Sequence, residues 1–128
     1  MFTEQKFKTV AIIGGGLIGS SLAHSIRENH LCDNLKIFDS KADVRKKLKE
    51  IFNSQEIYEN LNETVTEADL VFLCVPVGSM RDVAKKISNL LKKGCILTDT
   101  GSTKNSVIRD IQPFIKKDVW FIPSHPLA

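Results

Sequence analysis

Apolar residues in this chain fall into short strand-like runs that alternate with stretches of helical spacing. The runs are Thr9–Ile13, Leu35–Asp39, Leu70–Val75, Cys95–Thr98 and Val119–Ile122. The continuous apolar character of Leu70–Val75 predicts a strand buried on both faces, as in a parallel sheet. Between them, Leu22 and Ile26 share one face of a predicted helix from about Leu17 to Glu28. Val44, Leu48, Ile51 and Phe52 follow at i, i+4, i+7 and i+8 of a second. Val83, Ala84, Ile87, Leu90 and Leu91 form a stripe that should end at Gly94, a helix-stop residue. A further helix carries Val107, Ile108 and Ile111 and is disturbed by Pro113. The stretch from Glu56 to Thr66 is the least periodic; a short strand near Ile57-Tyr58 and a helical turn near Thr66 are expected there. Strands alternating with helices at this spacing predict right-handed βαβ units. The expected fold is therefore α/β: a Rossmann-type, doubly wound parallel sheet of about six strands in three αβα layers.

Composition narrows the function. The 128 residues are enough for one domain, and 42% hydrophobic with 26% charged residues is ordinary for a globular protein. The net charge of +3 comes from lysines scattered over several presumed helix faces. Without a basic stripe interleaved with aromatics, no nucleic-acid partner is expected. Cys32, Cys74 and Cys95 have no metal-like spacing, and no metal site is expected. Cys74 and Cys95 lie in apolar runs and read as core thiols, which suits a cytoplasmic location. Lys6 and Lys8 before the apolar stretch Val10–Ala23 mimic a signal peptide, but the stretch is too short to span a bilayer and reads as mature protein. No membrane association is expected.

In doubly wound sheets ligands sit beyond the carboxyl ends of the strands, so residues just after each strand matter most. Gly14-Gly15-Gly16-Leu17-Ile18-Gly19 follows the first strand and opens the first helix, and Asp39 stands 20 residues beyond Gly19 at the end of the second strand. That context makes a GxGxxG fingerprint for a dinucleotide. Gly14 allows the tight turn, Gly16 lets backbone reach the pyrophosphate, and Gly19 lets helix and strand pack closely. The helix start offers free N–H groups to phosphates. Asp39 would accept from the adenosine ribose hydroxyls and repel a 2′-phosphate, favouring NAD over NADP; a strand-end acid could also cap the next helix. Ser40 and Lys41 beside it could tolerate a phosphate. The loop Val75-Pro76-Val77-Gly78 lies where a nicotinamide ribose would pass, or is a plain turn. Thr98 to Lys104 crowds polar residues at a strand end, either as a site including Gly101 and Ser102 or as helix capping by Ser102 or Thr103. His125 follows the last strand, where a histidine could act as general base, although a lone histidine near a chain end often does nothing. His24 and His30 read as structural or exposed.

These patches occur together and in order. The glycine turn, Asp39, Val71-Phe72-Leu73-Cys74-Val75-Pro76-Val77, Asp99-Thr100-Gly101-Ser102-Thr103-Lys104 and His125-Pro126-Leu127-Ala128 resemble the N-terminal dinucleotide-binding domain of the prephenate/arogenate dehydrogenase family. The resemblance covers the whole chain; the segments at 99–104 and 125–128 are its specific parts. It implies NAD-dependent oxidative decarboxylation of prephenate or arogenate in tyrosine biosynthesis. It also implies His125 as the residue taking the ring hydroxyl proton and Ser102 as its support. Cofactor contacts are then expected from Gly14, Gly16, Leu17, Ile18, Gly19, Asp39, Val75, Pro76 and Gly101. The family's motif continues with a glycine and an all-helical domain that dimerises and grips the substrate carboxylate. The 128 residues alone are therefore expected to be inactive, and the full-length protein to be a homodimer. A non-catalytic NAD(P)-binding module and the cofactor domain of another NAD(P)-dependent reductase are the alternatives on the same fold.

Overall fold

The computed structural model describes residues 7–101 and 104–123. The strands are β1 (Phe7–Ile13), β2 (Cys32–Phe38), β3 (Ile57–Tyr58), β4 (Leu70–Leu73), β5 (Ile96–Asp99) and β6 (Trp120–Phe121). The helices between them are α1 (Leu17–Glu28), α2 (Ala42–Ile51), α3 (Leu61–Val65), α4 (Val77–Ile87) and α5 (Lys104–Ile111). All five strand pairings are parallel, in the order β3-β2-β1-β4-β5-β6. The order reverses between β1 and β4, which is the switch point where such sheets bind ligands.

Burial explains why the runs become strands. In β1, Val10 and Ile12 pack with Ala23 and Ile26 of α1 and Leu48 of α2. Ala11 and Ile13 face the other way, onto Met80, Ala84 and Ile87 of α4 and Val107 and Ile111 of α5. Both faces of the strand are dry, so an apolar residue is favoured at every position. Each such isoleucine contributes about 1.5–3 kcal/mol relative to exposure. The register levels the carboxyl ends: Ile13 lies opposite Phe38 and Leu73, and Leu73 opposite Asp99. The next residue of each strand therefore emerges along one edge.

At the opposite edge Asp69 joins three strand starts. One carboxylate oxygen accepts from the Thr9 amide at 2.9 Å and the other from Lys92 Nζ at 2.6 Å. Its own amide donates to the Thr9 carbonyl, and its carbonyl accepts from the Ile96 amide.

Three expectations need correction. The stripe ending at Gly94 is not one helix: α4 stops at Ile87, because Ser88 Oγ bonds back to the Lys85 carbonyl and the Leu90 amide closes a tighter turn on Ile87. Leu90 and Leu91 still pack on the core from that turn, and Gly94, at φ +86°, donates its amide to Asp118. Val77 and Gly78 are not loop but the first turn of α4, behind Pro76. Ile51 is exposed, and the end of α2 buries Phe52 instead, against His24. No helix among the described residues is long and apolar enough to cross a membrane.

Candidate nucleotide-binding site

The glycine turn is shaped by two contacts. Gly14 has φ +108° and gives its amide to the Phe38 carbonyl at 2.7 Å; a side chain there would press on the Cys74 carbonyl. A Cβ on Gly19 would collide with the Gly14 carbonyl oxygen. The third glycine thus lets the helix close on its own turn, more than on the strand. A Cβ on Gly16, by contrast, would meet nothing within 4 Å. That open space lies in front of the start of α1.

The helix start carries no cap. Its first bond runs from the Ser20 amide to the Gly16 carbonyl, no side chain caps it, and its first turn holds no acid. The amides of Leu17, Ile18 and Gly19 precede that bond and have no partner within the helix. They make a dipole end suited to phosphate. Leu17 is 89% and Ile18 49% exposed, apolar side chains in the first turn of α1.

Asp39 emerges just after β2 and ties this turn to its neighbour. One carboxylate oxygen accepts from the Gly15 amide at 2.8 Å, the other from the Lys41 amide at 2.9 Å. Asp39 therefore fixes the glycine turn and the entry to α2 at once, and each oxygen keeps lone pairs for a further donor. Its backbone carbonyl accepts from Arg45 Nη1 at 2.8 Å.

On the other side of the switch point, the Cys74 amide bonds the Ile13 carbonyl at 2.7 Å, and the Thr100 amide and hydroxyl both reach the Leu73 carbonyl. Burial pushes the Cys74 thiol up to about 11; the Thr100 hydroxyl opposes this and the Asp99 charge adds to it. Asp99 is fully buried and accepts from the Gly101 amide at 2.8 Å. Gly101 is enclosed by Val107, Met80 and that carboxylate. Val75 is half-buried and Pro76 exposed, in the short stretch before α4. Ser102 and His125 lie outside the described residues.

Sequence reasoning assigned no role to Arg45 or to Asp99. Arg45 sits among lysines on a polar helix face, and only its place one turn into the helix after Asp39 could have flagged it. Asp99 is a charged residue closing an apolar strand. Among the described residues, no group of three or more His, Cys, Asp or Glu could hold a metal ion. The open space at Gly16, the uncapped helix and the acid beside them fit a dinucleotide: a pyrophosphate against the helix and a ribose at Asp39.

Known proteins are similar to this chain in sequence and fold. A profile of the prephenate dehydrogenase nucleotide-binding domain matches residues 22–128. A cyclohexadienyl dehydrogenase of Zymomonas mobilis is 40% identical over 122 residues, covering 95% of this chain and 41% of that protein. A prephenate dehydrogenase of Lactococcus lactis is 35% identical over 126 residues, 94% of this chain and 34% of its own. A crystal structure of prephenate dehydrogenase from A. aeolicus, in complex with hydroxyphenyl propionate and NAD+, aligns with a TM-score of 0.84 at 26% identity, over 98% of this chain and 43% of that one. The chain thus spans well under half the length of these relatives.

Proposed function

The chain belongs to the prephenate dehydrogenase family, as a nucleotide-binding domain, and from that premise we propose that it holds NAD at the carboxyl edge of its sheet, for the oxidative decarboxylation of prephenate or arogenate. The observation that carries the reading is Asp39, bonded to the Gly15 amide at 2.8 Å beside an uncapped helix start. Its charge offers acceptors to ribose hydroxyls and repels a 2′-phosphate, so NAD is preferred to NADP. Gly14, Gly16, Leu17, Ile18 and Gly19 surround the pyrophosphate, and Val75, Pro76 and Gly101 border the nicotinamide half.

Bound nicotinamide would supply the hydride acceptor. The chain's own part is to orient substrate and take a proton. By resemblance, His125 takes it from the ring hydroxyl and Ser102 supports His125. Loss of carbon dioxide leaves an aromatic ring, so positioning and deprotonation are what the protein must provide. Residues 1–128 form the proposed dinucleotide-binding domain.

Calorimetric titration tests the cofactor. NAD should bind more tightly than NADP, and Asp39→Ala should weaken NAD roughly 10- to 100-fold, the usual size for a lost charged hydrogen bond. Tighter binding of NADP by the unaltered chain would refute the assignment of Asp39. For the catalytic roles, His125→Asn in an active polypeptide containing this chain should lower kcat by roughly 10²–10⁴-fold and barely change KM for NAD. A normal turnover and pH profile would remove His125 from the mechanism.

A further inference from the structure

Several cations among the described residues meet a carboxylate or an aromatic ring. Arg27 pairs with Glu56, Lys49 with Glu59 and Lys92 with Asp69. Arg81 lies over the Phe114 ring and Lys36 over Tyr58. Arg45 is different. It is half-buried in the first turn of α2, and its Nη1 is held by the Asp39 carbonyl at 2.8 Å. Among the described residues no carboxylate pairs with it, neither that of Asp39 nor that of Asp43 on its own helix. A guanidinium has five donors in a planar fork, and here one is spent on a neutral carbonyl. The anchored group sits beside the acid that faces the ribose. Lys41, exposed, lies on the same turn, with its amide on the Asp39 carboxylate.

We infer that Arg45 is a second specificity determinant of the adenosine subsite, placed to hold a 2′-phosphate, so that the Asp39 charge alone keeps phosphorylated dinucleotides out. The inference rests on the reading that a dinucleotide binds at this edge. A 2′-phosphate would extend from the same ribose oxygen that Asp39 reads. A guanidinium held on the Asp39 carbonyl, with no carboxylate paired to it among the described residues, can meet a phosphate on that ribose with charge-assisted bonds. Lys41 adds a mobile second cation. The site therefore contains both opposing features: an acid selecting the hydroxyl and an arginine suited to the phosphate.

The test is titration of the 128-residue chain with NAD, NADP, 5′-AMP and 2′,5′-ADP. In Asp39→Asn, NADP should tighten roughly tenfold or more and overtake NAD, a gain of the size expected for one charge-assisted contact. Adding Arg45→Ala should abolish that gain while shifting NAD less than about threefold, and Arg45→Lys should retain most of it. The NADP gain should also fade with salt faster than NAD binding does. No NADP gain in Asp39→Asn, or a gain that survives Arg45→Ala, overturns the inference. If Asp39→Asn does not fold, Arg45→Ala alone decides. It should weaken NADP and 2′,5′-ADP roughly tenfold, with NAD and 5′-AMP within about threefold; equal losses overturn the inference. An unaltered chain that binds neither dinucleotide refutes the functional reading itself, a result distinct from all of these.

Discussion

A methyl group at Gly19 has nowhere to go, because the Gly14 carbonyl oxygen already fills that space, whereas a methyl group at Gly16 points into the open. The two positions should therefore separate folding from binding. Gly19→Ala should destabilise by roughly 1–3 kcal/mol, the usual cost of overpacking, and lower the melting temperature. Gly16→Ala, at φ −71° and ψ −161°, is free of backbone strain and should cost under about 1 kcal/mol while weakening NAD. Thermal melts and titrations on the two variants check this; equal stability losses would contradict the geometry. Thiol chemistry is a second residue-level test. Burial raises both Cys74 and Cys95 to about 11. Both should stay protonated and resist alkylation in the native chain at pH 8, and react once it is denatured.

At the scale of elements, the Asp69 clamp joins β1, β4 and β5 at their starts. Lys92 chiefly, with the Thr9 amide, holds its carboxyl below the usual carboxylate range, against an opposing effect of burial. The unfolded chain binds the proton first, so this stabilisation is complete above the unfolded value and is lost as pH falls through the lower folded one. The unaltered chain should thus lose melting temperature more steeply than Asp69→Asn below about pH 4; parallel curves would show that the clamp contributes nothing. Helix ends offer another handle. His30 (φ +51°) follows α1, and Glu67 (φ +67°) follows α3, both in the left-handed region without being glycine. His30→Gly and Glu67→Gly should each stabilise by up to about 1 kcal/mol, the conformational strain relieved less the extra entropy of glycine in the unfolded chain.

The same elements show what could be read beforehand. The bounds of α1 were legible because a glycine turn marks its start, whereas β3 was expected only as a short strand near Ile57-Tyr58 within the least periodic stretch. The end of α4 was not. Leu90 and Leu91 continue the apolar period from a turn, and periodicity records burial, not backbone bonding. Gly14, Gly16, Gly19 and Asp39 could be placed at one edge because each follows a strand. Arg45 could not, since what distinguishes it is a bond to a backbone carbonyl and the absence of an ion pair among the described residues.

For the molecule as a whole, the sheet edge at β6 carries exposed apolar side chains among the described residues. Trp120 is 67% and Ile122 52% exposed, and Trp120 is the only tryptophan. Its fluorescence should be that of an indole in water and be quenched efficiently by iodide. A blue-shifted spectrum that reverts on dilution would mean that copies associate through this flank. The Asp39 bonds to Gly15 and Lys41 have a consequence in time. They tie the glycine turn to the entry of α2, the proposed adenosine half of the site. An encounter should then need no slow rearrangement, so the observed stopped-flow rate should rise linearly with NAD concentration instead of levelling off. Differences in affinity among the nucleotides should appear in how long each stays. The acid would then govern residence time and leave the rate of arrival nearly the same for each of them.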